Sequence, residues 1–230
     1  MRDGGGSGSC GRRARQQPAV QTPLPSKGIV RPLGGRCTGT GVAFTKVSVL
    51  VPALSLPPLV AGSAACEPFT ERDFTQAQKV LRILSGLHGV LRPLDLIQPY
   101  RLEMGTQLKT KQGKDLYAFW GHKLTDAVNE AIKSSHSKLF VNLASNEYSG
   151  AVDFSHIKVP VITPVFKDEK NGKFKVISFF AKKARGMMAN YVIRNRVQHA
   201  DGLKRFAVAG YAFDPGLSDD TTFTYLRRQQ

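Results

Sequence analysis

Three cations within four residues, Lys182, Lys183 and Arg185, open a run whose spacing through Ala184, Met188, Tyr191 and Val192 predicts a helix over 181–197. Cations in a first helical turn oppose the macrodipole, at roughly 0.3–1 kcal/mol each when exposed. The sign reverses if an anion sits there. Free backbone amides and three positive side chains then converge on one phosphate-sized charge. The plainer alternatives are a solvated basic face, or a helix that begins nearer Met187. Arg194 and Arg196, at the far end, favour the dipole and need no ligand.

Two further stretches could meet a polyanion. Lys167, Lys170, Lys173 and Lys175 surround Asn171-Gly172, the strongest short hairpin signal, interleaved with Asp168 and Glu169. Lysines on such a tip can follow a nucleic-acid backbone, although an ordinary charged turn reads the same way. "LSGLHG", residues 84–89, places Gly86 and Gly89 around Leu87 and His88, with Arg92 just beyond. A helix-hairpin-helix module grips duplex DNA by turning backbone amides toward a phosphate. Its usual core, apolar-x-Gly-apolar-Gly, has one residue between the glycines; here there are two. The physical ingredients remain: a preceding helix, two conformationally permissive residues and a nearby cation. His88 would donate to a phosphate, or simply sit satisfied in the turn.

Catalytic signals are thinner. Asn142, Ser145, Glu147 and Tyr148 form a polar cluster straight after a predicted strand, where active-site loops often lie. They would make a pocket for a nucleobase or nucleotide. No nucleophile elbow, phosphate loop or zinc-protease motif is present. His88, His122, His136, His156 and His199 lack ligand spacing, so neither a metal nor a cofactor is expected.

Local signals also indicate the elements that must position these residues. Thr70 and Asp73 have capping-box spacing, and Phe74, Ala77, Val80, Leu81 and Leu84 predict a helix over 71–85 that Gly86 stops. Pro93 and Pro99 bound a short second helical element, and 106–114 form a basic loop. Asp115 caps a long helix whose Leu116, Trp120, Leu124, Val128 and Ile132 make a core stripe. Strands are predicted at 138–145, at 156–166 with prolines implying an edge or irregularity, after Asn171-Gly172, and at 205–214 and 222–228. The expected fold is α+β: a single domain over 67–230, with a mixed or antiparallel sheet and a helix-hairpin-helix-like element.

Residues 1–66 read as a different kind of chain. They hold 11 of the 22 Gly, 7 of the 13 Pro and all three cysteines, with eight Lys and Arg against Asp3 alone. The first 28 residues are too poor in apolar side chains to offset ordering entropy and are expected to be disordered. The apolar run 47–65 is interrupted by Pro52, Pro57 and Pro58, which argues against a membrane helix. Over 40 residues precede it, which is long for a signal peptide. A non-native extension from a misjudged start or a shifted frame, or a basic tail that touches nucleic acid, are the other readings. A folded part without cysteine suits a reducing compartment. The net charge of +16 on 230 residues points to a polyanionic partner.

Several long motifs in order, "LSGLHGVLRPLDLIQPYRLEMG", "GKDLYAFWG", "VNLASNEYS" and "PVFKDEKNGKFKVISFFAKKARGMMANYVI", closely resemble the YaaA family of bacterial peroxide-stress proteins, over about 69–228. The resemblance implies a cytoplasmic bacterial protein with a basic cleft; a monomer is expected. It would bind duplex or structured DNA without reading sequence, limit oxidative DNA damage and be associated with lower free iron. It maps the hairpin to the Leu84–Arg92 region, where Gly86, Leu87, His88 and Gly89 would present the turn. Family members open with a short strand and a "SPAKTLD"-like motif, which residues 1–66 do not show. Because the sequence offers no iron-ligand spacing, any iron effect is expected to be indirect.

Overall fold

The computed structural model describes residues 46–52, 69–98 and 100–228. They build one mixed sheet with helices on both faces. Five strands lie parallel at its centre, in the order β2 (Leu81–Ser85), β1 (Lys46–Pro52), β4 (Ser137–Asn142), β5 (Val161–Lys170) and β8 (Thr222–Arg227). Antiparallel β3 (Gly89–Leu91) and β7 (Tyr211–Asp214) close the two edges. β6 (Lys173–Lys175) folds back on the far end of β5.

Alternation along the central strands explains the layers. Val49, Leu81, Ile83, Leu139 and Val141 enter one core, whereas Leu50, Leu84 and Phe140 enter the other. Successive strand side chains point to opposite faces, so each central strand needs apolar cover on both. Helices α1 (Glu71–Val80) and α5 (Ser178–Arg194), with short α6 (Ala200–Lys204), supply one cover. The other comes from α2 (Leu116–Trp120), α3 (Lys123–Ser135) and the single turn α4 (Asn146–Ser149).

The expected mixed sheet is present, but two elements differ from the sequence reading. The first helix ends at Val80, and Leu81–Ser85 is a strand buried throughout. A helical stripe at Val80, Leu81 and Leu84 looks the same in sequence as a strand buried on both faces. Tertiary cover selects the strand. Gly86 therefore opens the tight turn of the β2–β3 hairpin, and no helix-hairpin-helix forms there. The second difference is β1. It falls inside the segment read as lying outside the domain, yet it lies in the parallel centre between β2 and β4, with Val49 and Leu50 fully buried. The rest of 1–66, including the segment expected to be disordered and the three cysteines, lies outside the described residues.

Several local expectations hold. Thr70 and Asp73 form the reciprocal capping box. Asp115 caps α2 through Ala118 N–H, and all five residues of the core stripe are buried in one cluster, although Gly121 (φ 48°) splits the helix into α2 and α3. Asn171 and Gly172 both take positive φ (54° and 70°), as a two-residue hairpin turn matched to strand twist requires. Pro164 sits on β5 beyond its pairing with β4 and before its pairing with β6, where one side of the strand is free of ladder partners. No helix forms after Pro93. Helix α5 begins three residues earlier than expected, at Ser178.

Arg196 ties the two helices of one layer together. Its guanidinium meets the Asp73 carboxylate at 2.9 Å, across 123 residues of chain. Burial works against that carboxylate, but hydrogen bonds from the Thr70 side chain and backbone and from Arg196 outweigh it and hold its pKa below the ordinary 3.8. The unfolded state then takes up the proton first as pH falls. Stability contributed by this group is present above pH 3.8 and is lost below it. Asp73→Asn should therefore show a weaker loss of stability than the parent between about pH 4 and pH 2 in urea titrations. Phe140→Ala, in the fully buried middle of β4, should cost about 3–5 kcal/mol in the same assay.

Candidate nucleic-acid interface

The far end of β5, the β6 hairpin and the start of α5 carry a dense run of exposed cations. Lys170, Lys173, Lys175, Lys182 and Lys183 are all exposed, and none forms an ion pair with a described residue. Arg185 is half-buried, likewise without a carboxylate partner, and desolvation pushes its pKa down. Because α5 starts at Ser178, Lys182, Lys183 and Arg185 occupy its second turn rather than its first. The dipole penalty inferred from sequence is correspondingly smaller, since that effect fades within one turn. The first-turn amides of Ser178, Phe179 and Phe180 have no intrahelical acceptor, and Ile177 caps the helix without a side-chain bond.

Of the two acids on the same hairpin, Asp168 does not cancel this charge, because it is committed inward. Asp168 is 4% exposed. It accepts the Tyr211 hydroxyl at 3.0 Å and Arg227 Nε–H at 2.6 Å. Strand register makes this cluster: Arg227 lies opposite Asp168 across β5–β8 and opposite Tyr211 across β7–β8. The Arg227 guanidinium also lies over two rings, 4.7 Å from the Tyr211 centroid and 4.6 Å from that of Phe180. Burial, and then the bond to Asp168, push the Tyr211 phenol well above its ordinary range, so it stays a donor. Sequence reading misses this rung, because its three members are far apart in the chain and only strand register aligns them.

The glycine turn is arranged differently from expectation. Ser85 Oγ accepts the amides of both Leu87 (3.2 Å) and His88 (2.8 Å), and Tyr100 hydroxyl bonds the same oxygen. The two turn amides expected to face a phosphate are thus occupied. Trp120 Nε1–H donates to the Gly86 carbonyl at 3.0 Å. A Cβ on Gly86 would lie 2.6 Å from the Leu102 carbonyl, and Gly89 (φ 76°) lies against the Trp120 ring. The His88 ring packs edge-on to Tyr100. Arg92 closes on Asp95, with both nitrogen contacts near 3.0 Å. In the sheet this turn sits at the β2–β3 edge, separated from the β5–β6 end by β1 and β4. The two spots therefore do not converge on one ligand.

The polar cluster after β4 also has other work. Asn142 accepts Ala144 N–H and reaches Thr163, Ser145 precedes α4, and exposed Glu147 accepts Gly105 N–H at 2.7 Å. Tyr148 is buried and donates to Glu103 at 2.9 Å. Burial, reinforced by that carboxylate, raises its pKa far above neutral, which removes it as a base. Together these contacts pin the 100–105 segment against α4.

Fold and surface together define a mixed α/β protein with a cationic, aromatic-bearing flank at one end of its sheet. A family model described as "Peroxide stress protein YaaA" matches residues 63–217. The chain belongs to the YaaA family of peroxide stress proteins, as its motifs led us to expect. A UPF0246 protein of Cellvibrio japonicus is 54% identical over 161 residues, 70% of this chain and 62% of the relative. One of Saccharophagus degradans is 50% identical over 188 residues, 82% of this chain and 73% of the relative. One of Shewanella baltica is 56% identical over 164 residues, 71% and 64% of the two chains. The chain thus spans about two thirds of the length of the curated relatives it matches. Among the described residues no helix is long and apolar enough to cross a membrane.

Removing one member of the buried rung should be costly, because it strands a charge. Arg227→Met alone should destabilise by about 3 kcal/mol, whereas Arg227→Met with Asp168→Leu should recover most of that loss. A double-mutant cycle in urea would show this as strong non-additivity.

Proposed function

We propose that this chain is a DNA-binding protein of the peroxide stress response. It grips duplex or structured DNA through backbone phosphates, without reading sequence, and so limits oxidative damage. The observation that carries the reading is the set of five exposed lysines, unpaired with any described acid, along one flank of β5, β6 and α5. Lysines are point charges suited to phosphate oxygens, and backbone contacts position a protein without carrying sequence information. Arg185, half-buried and without a carboxylate partner among the described residues, adds a cation whose desolvation an anion would offset. The overall charge of +16 supplies long-range attraction to a polyanion.

In this reading Lys173, Lys175, Lys182, Lys183 and Arg185 neutralise phosphates. Gly86, Leu87, His88 and Gly89 shape the edge of the sheet and contribute no free turn amides of Leu87 or His88. The protein acts as a monomer in the cytoplasm, and its link to free iron is indirect, through the DNA it covers.

Neutralising about five phosphates predicts that log K falls with log salt at a slope near −4.5. Lys182→Gln with Lys183→Gln should make that slope shallower by about 1.8 units and weaken all sequences alike. Arg185→Ala should likewise weaken every duplex to the same degree. Fluorescence anisotropy on labelled duplexes across a salt series measures all three. Binding indifferent to salt would reject the reading.

A further inference from the structure

The same flank that carries the lysines also exposes aromatic and aliphatic side chains, in an arrangement that phosphate binding does not need. Phe179 is 63% exposed, and Val176, Phe174 and Phe180 join it within seven residues. Lysines interleave with them. Phe179, Lys182 and Lys183 share one face of α5 at i, i+3 and i+4, and Lys183 Nζ sits 4.6 Å from the Phe179 centroid. Phe179 and Phe180 meet edge to face at 5.7 Å, and Phe180 continues into Arg227 and Tyr211. The flank is thus a ladder of π faces and guanidinium edged by ammonium groups.

A pocket of about 460 Å³ opens beside this ladder, lined by Ile177, Phe180, Lys170, Arg227 and Arg228, with Asp168 and Glu169 also in its lining. Its lining mixes charge signs. The Asp168 carboxylate is taken up by Tyr211 and Arg227, and its charge still disfavours a phosphate beside it, whereas the exposed Phe180 ring offers a face on which a base stacks. A flat, neutral group bearing both donors and acceptors fits such a lining better than an anion does. The volume is ample for one base.

We propose that this aromatic and lysine surface binds unpaired nucleobases. One base stacks on Phe179 and a neighbour enters the pocket beside Phe180 and Arg227, while Lys173, Lys175, Lys182 and Lys183 follow the strand's phosphates. The proposal rests on the DNA-binding reading above and deepens it: the preferred DNA carries unstacked bases, as in gaps, bulges or displaced strands. Exposed large apolar side chains lose water-ordering cost when covered, and every base offers a π face, so such stacking tolerates any sequence. The lysines decide between nucleic acid and a second copy of this chain as the occupant. A homodimer here would bring like charges together across the contact.

The test uses the full chain and two labelled probes, a 20-nucleotide oligothymidine and a duplex of the same length, by anisotropy at fixed salt. Phe179→Ala should weaken oligothymidine binding about tenfold and duplex binding less than twofold. Phe179→Trp should keep the parent affinity for both. Because Phe179 is exposed, thermal unfolding of both variants should match the parent. A 2-aminopurine placed in the single strand should be quenched on binding by the parent and not by Phe179→Ala. Salt-dependent duplex binding combined with an unchanged single-strand affinity in Phe179→Ala would overturn this proposal alone. Absence of binding to both probes would overturn it together with the DNA-binding reading. Loss of a concentration-dependent dimer in Phe179→Ala, with single-strand binding intact, would show that a second copy covers the patch and would overturn it too.

Discussion

The parallel centre of the sheet is buried on both faces, and the rest of the architecture answers that demand. β1, β2 and β4 send neighbouring side chains to opposite cores, so no single layer of helices can cover them. Chain segments must cross on both sides, which places α1 and α5 on one face and α2 and α3 on the other. The same constraint makes the turn after β2 a structural joint. Ser85, Trp120 and Tyr100 hold it with hydrogen bonds, because the buried polar groups of a partly buried turn are costly to leave unpaired.

At the other end, β5 outruns β4 and carries the chain beyond the two-sided core. There the sheet needs a different kind of closure. The Asp168, Tyr211 and Arg227 rung provides it with one charge pair, one phenol and two ring contacts across three strands. Holding Asp168 inward lets the tip of the hairpin remain cationic. The rung also props Phe180 against Arg227 and so fixes the base of the aromatic patch. Stability and surface chemistry meet in one cluster: the interaction that ends the sheet sets the sign of the surface beyond it.

Much of the local structure is legible in the sequence because its signals are local. The Thr70–Asp73 capping box, the Asp115 cap, the 116–132 stripe and the Asn171-Gly172 turn depend on residues within one or two turns of each other. The β2 strand reads as helix because Val80, Leu81 and Leu84 satisfy a helical period as well as burial on two faces, and five residues are too few to separate the two. β1 escapes for a related reason. Its apolar run carries no period, and its proline-rich surroundings suggest a segment that does not fold. Among candidate site residues, Lys173 and Lys175 lie on β6 and Lys182, Lys183 and Arg185 in the second turn of α5, which follows it in the chain. Gly86, His88 and Arg92 lie elsewhere, each committed to a neighbour. Glu147 and Tyr148 look catalytic in sequence because acids and phenols after a strand often are. Their partners, Gly105 and Glu103, are more than 40 residues away in the chain.

By itself the sequence determined where α1 and α2 start, where the hairpin turns, which helix face is apolar, that the chain is strongly basic, and, through its motifs, the family. Each of these rests on neighbours in the chain or on sums over it, which folding does not alter. Only the tertiary structure decided which cations remain free and which are paired, which turn amides are occupied, and that Phe179 faces water beside lysines. Those outcomes depend on strand register and on contacts between distant segments. A hydrogen bond or an ion pair is settled by a few tenths of an ångström, which no spacing in the chain can specify.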